Sequence, residues 1–317
     1  MAARMPRAID RAFRIPTGIG SAGRMDRSMV ETCVTEPDLL RQAYTQCGAL
    51  LRIEDRDRFL ASLFVPDDAR RHLWALYAFN VEIARVRDVV REALPGEVRF
   101  QWWREVIEGR GRGDVDAHPV ALALSRTLEA LELPRQALLN LIDARTFDLY
   151  DDPMPSLKDL EGYAGETASI LLQLGGQVLL GRADPALADP AGHGGVALAL
   201  TGLMRALPIH AARGQCYLPL DRLHVQGIGR EEVVSGTSSA ALKAVLSDLR
   251  GVARGHLDTA RAGLAQVPRP ALPVFLPLAL VPKDLRALAR ARDPFAPGIG
   301  ASPLTRLWTL WWAARRS

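Results

Sequence analysis

Residues Asp68–Ala93, DARRHLWALYAFNVEIARVRDVVREA, decide the fold class. Leu73, Leu76, Tyr77, Asn80, Ile83 and Ala84 recur at spacings of three and four. That repeat puts them on one face of a helix. The reading is a single long helix, ended by Pro95-Gly96. Upstream, the pattern predicts helices over 38–50 and 55–64, with Val65-Pro66-Asp67-Asp68 as stop and cap. Downstream it predicts a helix over 97–108, a Gly/Arg/Asp loop over 109–116, and a helix from His118-Pro119 to about Glu132. Pro134 then opens a helix to about Tyr150. Asp151–Pro155 reads as a linker. Ser156-x-x-Asp159 starts a continuous helix over 157–180. A loop over 181–195 precedes a helix from Val196, and later helices cover 240–265, 270–291 with proline breaks, and 303–315. No segment alternates in the two-residue pattern of a strand. One all-α helical bundle, without repeats, is the expected architecture.

The 317 residues carry 40 Lys+Arg against 36 Asp+Glu, a net charge of +4. Mean hydropathy is close to zero, at +0.01. Arg4, Arg7, Arg11, Arg14, Arg24 and Arg27, set against Asp10 and Asp26, carry all of the excess. From Met29 onward the charge is balanced, so the basic pI gives no reason to expect a nucleic-acid partner. Residues 1–36 read as a flexible Arg-rich leader, either a targeting peptide or an extension ahead of a start at Met25 or Met29. Cys33, Cys47 and Cys216 are too few and too scattered for a disulfide framework or a zinc site. The longest apolar run, Ala271–Val281, is too short to span a membrane and holds two prolines.

Chemistry-bearing motifs are sparse. Gly109-x-Gly-x-Gly113 follows a helix and not a strand, which removes the dinucleotide-loop context. Asp148-x-x-x-Asp152 places two carboxylates one turn apart, but at a helix end running into Asp-Pro, where a solvated acidic terminus is the expectation. No histidine pair has metal-ligand spacing.

Several stretches together resemble the squalene/phytoene synthase family. They are Leu60-Ala-Ser-Leu-Phe64, Arg70-Arg71, Trp74-Ala-Leu-Tyr-Ala-Phe79, Pro95–Arg104, and Arg205–Pro219 followed by Asp221. The resemblance spans about residues 40–290. It implies an isoprenoid (terpenoid) synthase-type helical bundle with a central cavity. Active members hold Mg²⁺ on two facing Asp-x-x-x-Asp motifs, so that the metal neutralises the departing diphosphate of a prenyl substrate. By the resemblance those four positions fall at Ala84, Asp88, Ala206 and His210, and a diphosphate-binding arginine position falls at Val81. Three of four carboxylates are missing, so no metal site is expected. Mg²⁺ enters only if the chain is an active head-to-head prenyl diphosphate transferase.

A narrower resemblance is to the phytoene-synthase-like branch that assembles mitochondrial complex I, which shares the missing aspartates. Tyr77–Glu82, Gln101-Trp-Trp103, His118-Pro-Val-Ala121, Tyr163-Ala-x-Glu-Thr167, Arg205-Ala-x-Pro-x-His210 and Leu218-Pro-x-Asp221 carry it. It implies a non-catalytic assembly factor for NADH dehydrogenase, with a complex I subunit or intermediate as partner. The site would be cytoplasmic and peripheral to the inner membrane in a bacterium, or on the matrix side in a mitochondrion. The other readings are the active transferase and an isoprenoid or lipid carrier. Tyr77, Val81, Ala84, Asp88, Tyr163, Gly202, Arg205, Ala206, His210, Arg213 and Tyr217 are the expected pocket. A ligand-free helix–helix core is the alternative to it. Asp88 and His210 are the weak catalytic candidates.

Beyond the domain over 37–300, residues 301–317 form a Trp-rich segment. Leu304, Leu307, Trp308, Trp311 and Trp312 share one face flanked by Arg306, Arg315 and Arg316. That is the pattern of a helix lying in a membrane interface, or of one docked on the bundle.

Overall fold

The computed structural model describes residues 36–90, 92–111 and 115–316. The Arg-rich segment, Cys33 and part of the glycine loop lie outside them. Among the described residues there is no strand. The all-α reading holds.

α1 (Glu36–Glu54) and α2 (Arg56–Ser62) lead into α3 (Asp67–Ala84). The Asp55 carboxylate caps α2 by accepting the Arg58 N–H at 3.2 Å. α3 is buried nearly all round, from His72 to Ile83. It packs on α1 and on α6 (Pro119–Ala130). A helix apolar on every side belongs at the centre of a domain. Phe79 is fully buried and meets the Trp103 ring edge-to-face at 5.2 Å. Of the adjacent pair Trp102 and Trp103, Trp103 is the core residue.

The long helix over 68–93 is shorter than its periodicity predicts. α3 stops at Arg85. A four-residue α4 (Val86–Val89) follows, Val90 is extended, and α5 (Ala93–Ile107) begins there. The β-branched Val86, Val89 and Val90 weaken helix propagation, and Arg87 donates to the Val90 carbonyl at 3.3 Å. Pro95-Gly96 is not the break. Pro95 sits in the first turn of α5, where its missing N–H has no helical acceptor to lose.

α7 (Arg135–Thr146) tightens into a 3-10 turn, Phe147–Leu149. The Ser156 hydroxyl caps α8 (Leu157–Ala164) by accepting the Asp159 N–H at 3.2 Å. α8 runs through a π turn, Gly165–Ser169, into α9 (Ile170–Leu180). The sequence shows only an unbroken helix there. The expected loop over 181–195 is a further correction: α10 (Ala188–Arg205) starts eight residues before Val196. Glycines that read as loop signals are helical, because α10 crosses the π turn at backbone contact. α10 ends at Ala206, and α11 (Leu207–Ala212) continues at a break. Short α12 (Leu220–Val225) and α13 (Arg230–Val234) precede α14 (Ala240–Gly263), which packs along α10. A 3-10 run over Arg269–Ala279 leads to α15 (Val281–Arg290) and α16 (Pro303–Ala314).

Cys47 and Cys216 are buried free thiols. Burial pushes Cys47 up to about 12 and raises Cys216. A thiol reagent at mildly alkaline pH is expected to label both only after denaturant is added. Labelling of either in the native protein contradicts that packing.

Candidate functional site

The strongest polar constellation is centred on Asp148, in the 3-10 turn after α7. This carboxylate is 6% exposed, not the solvated helix end its sequence suggests. It accepts from the Tyr163 hydroxyl at 2.9 Å, the Tyr217 hydroxyl at 2.8 Å and the Arg145 guanidinium at 3.0 Å. Arg145 also donates to the Tyr163 oxygen at 2.6 Å. The Gln215 amide donates to the Asp148 carbonyl at 3.2 Å. The Phe147 ring stands 6.1 Å from each tyrosine ring.

Three separate segments converge here. Tyr163 comes from the last turn of α8, beside the π turn. Tyr217 lies in the loop after α11. His210, in α11, places its ring 4.6 Å from that of Tyr217. Burial, reinforced by the charge of Asp148, holds both phenols far above the usual tyrosine range. Burial also lowers His210 to about 4, with Arg213 and Arg145 adding to the effect against Asp148. At neutral pH the groups around Asp148 are therefore fixed in one state: two neutral phenols, a neutral imidazole and a paired guanidinium. That arrangement positions groups; it does not form a poised acid–base couple.

The eleven expected pocket residues divide. Tyr163, His210 and Tyr217 gather around Asp148. Asp88 and Arg213 form an ion pair across the two helix breaks. Tyr77 and Val81 are core residues. The Arg58 guanidinium lies 5.5 Å above the Tyr77 ring, and a Cβ at Gly175 would stand 3.0 Å from the Tyr77 hydroxyl. Ala84 and Ala206 are half-buried at the ends of α3 and α10. Gly202 and Arg205 line a different place, a cavity of about 250 Å³ between α2, α10 and α15. Its apolar wall is Leu198, Leu280 and Val281. Its charges are matched: Asp55 pairs with Arg58 at 2.5 Å, and Asp284 takes Arg306 at 2.6 Å and Arg205 at 3.5 Å.

Sequence reasoning missed Arg145 and the burial of Asp148, which it placed at a solvated helix end. The available signal was the i,i+3 spacing of Arg145 and Asp148, common to many surface pairs. Nothing in the spacing reveals the two phenols that come from later segments.

The Mg²⁺ that the family resemblance brings with it does not fit these residues. Ala84 and Ala206 offer no donor atom. His210 packs on Tyr217, and imidazole is a poor ligand for so hard a cation. Asp88 is engaged by Arg213. Among the described residues no group of three His, Cys, Asp or Glu side chains is placed to hold a metal.

His72 shares the behaviour of His210. Its Nδ1 lies 2.9 Å from the Thr127 hydroxyl, and burial, helped by Arg71, lowers it to about 4. Between 6.5 and about 4 the unfolded chain takes up protons at these histidines that the folded chain refuses. Their contribution to stability is full above pH 6.5 and is lost as pH falls toward 4. Urea midpoints should drop across that window; a flat profile contradicts the assignment.

A bundle in which α3 and α10 are each broken near the chemistry-bearing positions, with Asp88 and Arg213 paired across the two breaks, defines the class as a terpenoid-synthase-type helical protein. The sequence pattern of squalene/phytoene synthases matches residues 51–311. The chain belongs to the squalene/phytoene synthase family. It is 34% identical to the rat protein called NADH dehydrogenase (ubiquinone) complex I, assembly factor 6, over 81% of this chain and 77% of that one. The human protein of the same name is 32% identical over 80% and 76%. Among solved structures, a dehydrosqualene synthase superposes with a TM-score of 0.75 at 16% identity, covering 87% of this chain and 97% of that one. At that identity the superposition speaks for the fold alone.

Proposed function

We propose that this family member does not transfer prenyl groups and acts in building respiratory complex I, with a complex I subunit or assembly intermediate as its partner. The observation that carries the first half is the state of Asp88. It is the one acid left among the four positions matching the metal motifs, and it pairs with Arg213. Ionising an allylic diphosphate needs divalent cations on facing carboxylates, and one ion-paired aspartate does not supply them. The names of the rat and human relatives support the second half. The chain works at the membrane that carries complex I, on the cytoplasmic face in a bacterium or the matrix face in a mitochondrion. Contact is through the exposed face of α16; no helix among the described residues is long and apolar enough to cross a membrane.

The test of the first half is direct. Purified protein is incubated with farnesyl or geranylgeranyl diphosphate and Mg²⁺ or Mn²⁺, and diphosphate release and hydrocarbon products are measured. Neither is expected above the no-protein control. Turnover overturns the non-catalytic reading.

A further inference from the structure

α16 has one face that the bundle holds and one that it leaves open. Arg306 points inward. It donates to Asp284 at 2.6 Å and to the Ala301 carbonyl at 3.2 Å, and it pairs with Asp57. Leu310 packs beside Ala61, Leu276 and Leu280. These contacts fix the rotation of the helix about its axis, so the opposite face is presented by design of the fold and not by fraying. On that face Leu304 is 72% exposed, Trp308 59% and Trp312 50%. The indoles are ordered against one another: Trp308 meets Trp311 edge-to-face at 5.5 Å, and Trp311 meets Trp312 at 5.4 Å.

Cations frame this apolar face, and acids are absent from it. Residues 303–316 contain no Asp or Glu. The Arg315 guanidinium lies 3.9 Å over the Trp311 ring and that of Arg316 5.5 Å over Trp312. Between α16 and the start of α15 runs an open groove of about 580 Å³ lined by Ala279, Lys283, Trp308, Thr309, Trp312 and Arg316. The charged groups in that lining are both cationic. An apolar indole wall beside two cations matches the boundary of a lipid leaflet, where hydrocarbon meets phosphate.

We propose that α16 and Lys283 form a docking surface for an anionic phospholipid bilayer. Trp308 and Trp312 enter the interface, and Lys283, Arg315 and Arg316 meet lipid phosphates. This rests on the membrane contact proposed above and specifies the charge of the surface. Each cation near such a leaflet strengthens binding roughly fivefold at low salt, and the gain falls as salt screens it.

The full chain is sedimented with vesicles of phosphatidylcholine alone and with an equimolar mixture of phosphatidylcholine and phosphatidylglycerol. Strong, salt-sensitive binding to the mixture and weaker binding to the neutral vesicles are expected. Lys283→Gln and Arg316→Gln should each weaken binding to the mixture roughly fivefold, and Trp308→Ala with Trp312→Ala should abolish binding to both. All four side chains are at the surface, and an unchanged thermal melt confirms each variant's fold. Equal binding to both vesicles, indifferent to the Gln variants, overturns the anionic specificity while leaving membrane contact in place. No binding to either vesicle overturns both, and leaves the face to an acidic protein partner.

Discussion

Replacing Asp148 by Ala lowers the free energy of unfolding by about 3–5 kcal/mol, the cost of removing one partner from a buried ion pair. The reason is what stays behind. Arg145 keeps its charge, since a guanidinium does not give up its proton in a protein, and loses its carboxylate. The Tyr163 and Tyr217 hydroxyls lose the acceptor they share. Asp148→Asn, which keeps an acceptor oxygen but not the charge, should cost less. Urea denaturation followed by far-UV circular dichroism reads both. A midpoint for Asp148→Ala equal to that of the parent contradicts the geometry of the cluster. An intermediate loss for Asn locates the remainder in the charge.

Gly195→Ala should be comparably damaging by a different route. An alanine Cβ at that position would stand 2.2 Å from the Cα and 2.3 Å from the backbone N of Ser169. Those are backbone atoms, which cannot swing aside as a side-chain end can. α10 would have to withdraw from the π turn, and the Ser169 hydroxyl would lose its bond to the Gly192 carbonyl, now 2.7 Å. Overpacking of this kind costs about 3 kcal/mol, at the upper end for such changes. Gly192→Ala, one turn earlier in the same helix, is the control. A Cβ there meets nothing within 4 Å, and the helix gains up to about 1 kcal/mol from replacing glycine. Opposite shifts in melting temperature for two Gly→Ala changes three residues apart are the expected result. Equal shifts would mean that α10 does not touch Ser169.

The same glycines explain where sequence reading failed. The periodicity of Leu73, Leu76, Tyr77, Asn80 and Ile83 survives in α3 because one physical cause, burial on the central helix, selects the residues and spaces them. Gly192-His193-Gly194-Gly195 carries no such repeat. Gly195 is selected by a close approach to Ser169, a residue 26 positions away, and Gly194 by the Leu172 and Leu278 side chains, while local signals read both as a loop. The π turn is equally silent, since the same residues suit an α-helix until α10 is packed against it.

The site was legible to the extent that it lies on motifs. Tyr163, His210 and Tyr217 come from two of the stretches that carried the resemblance, and they meet in space. Gly202 and Arg205 do not join them, because the break at Ala206 separates α10 from α11 and leaves the end of α10 lining the cavity beside α15. The burial of Asp148 was invisible because that of an acid at a helix end depends on which side chains arrive from elsewhere. Asp88 shows the converse. Its identity was plain in the sequence, but its partner Arg213 lies 125 residues away.

The central claim, that a family member lacking three metal carboxylates serves complex I, is tested most directly in cells. The gene is deleted, and rotenone-sensitive NADH oxidation is measured in isolated membranes, with succinate oxidation as the control. Loss of the NADH activity with succinate oxidation intact, restored by the wild-type gene, is the predicted result. Normal rotenone-sensitive NADH oxidation in the deletion contradicts it.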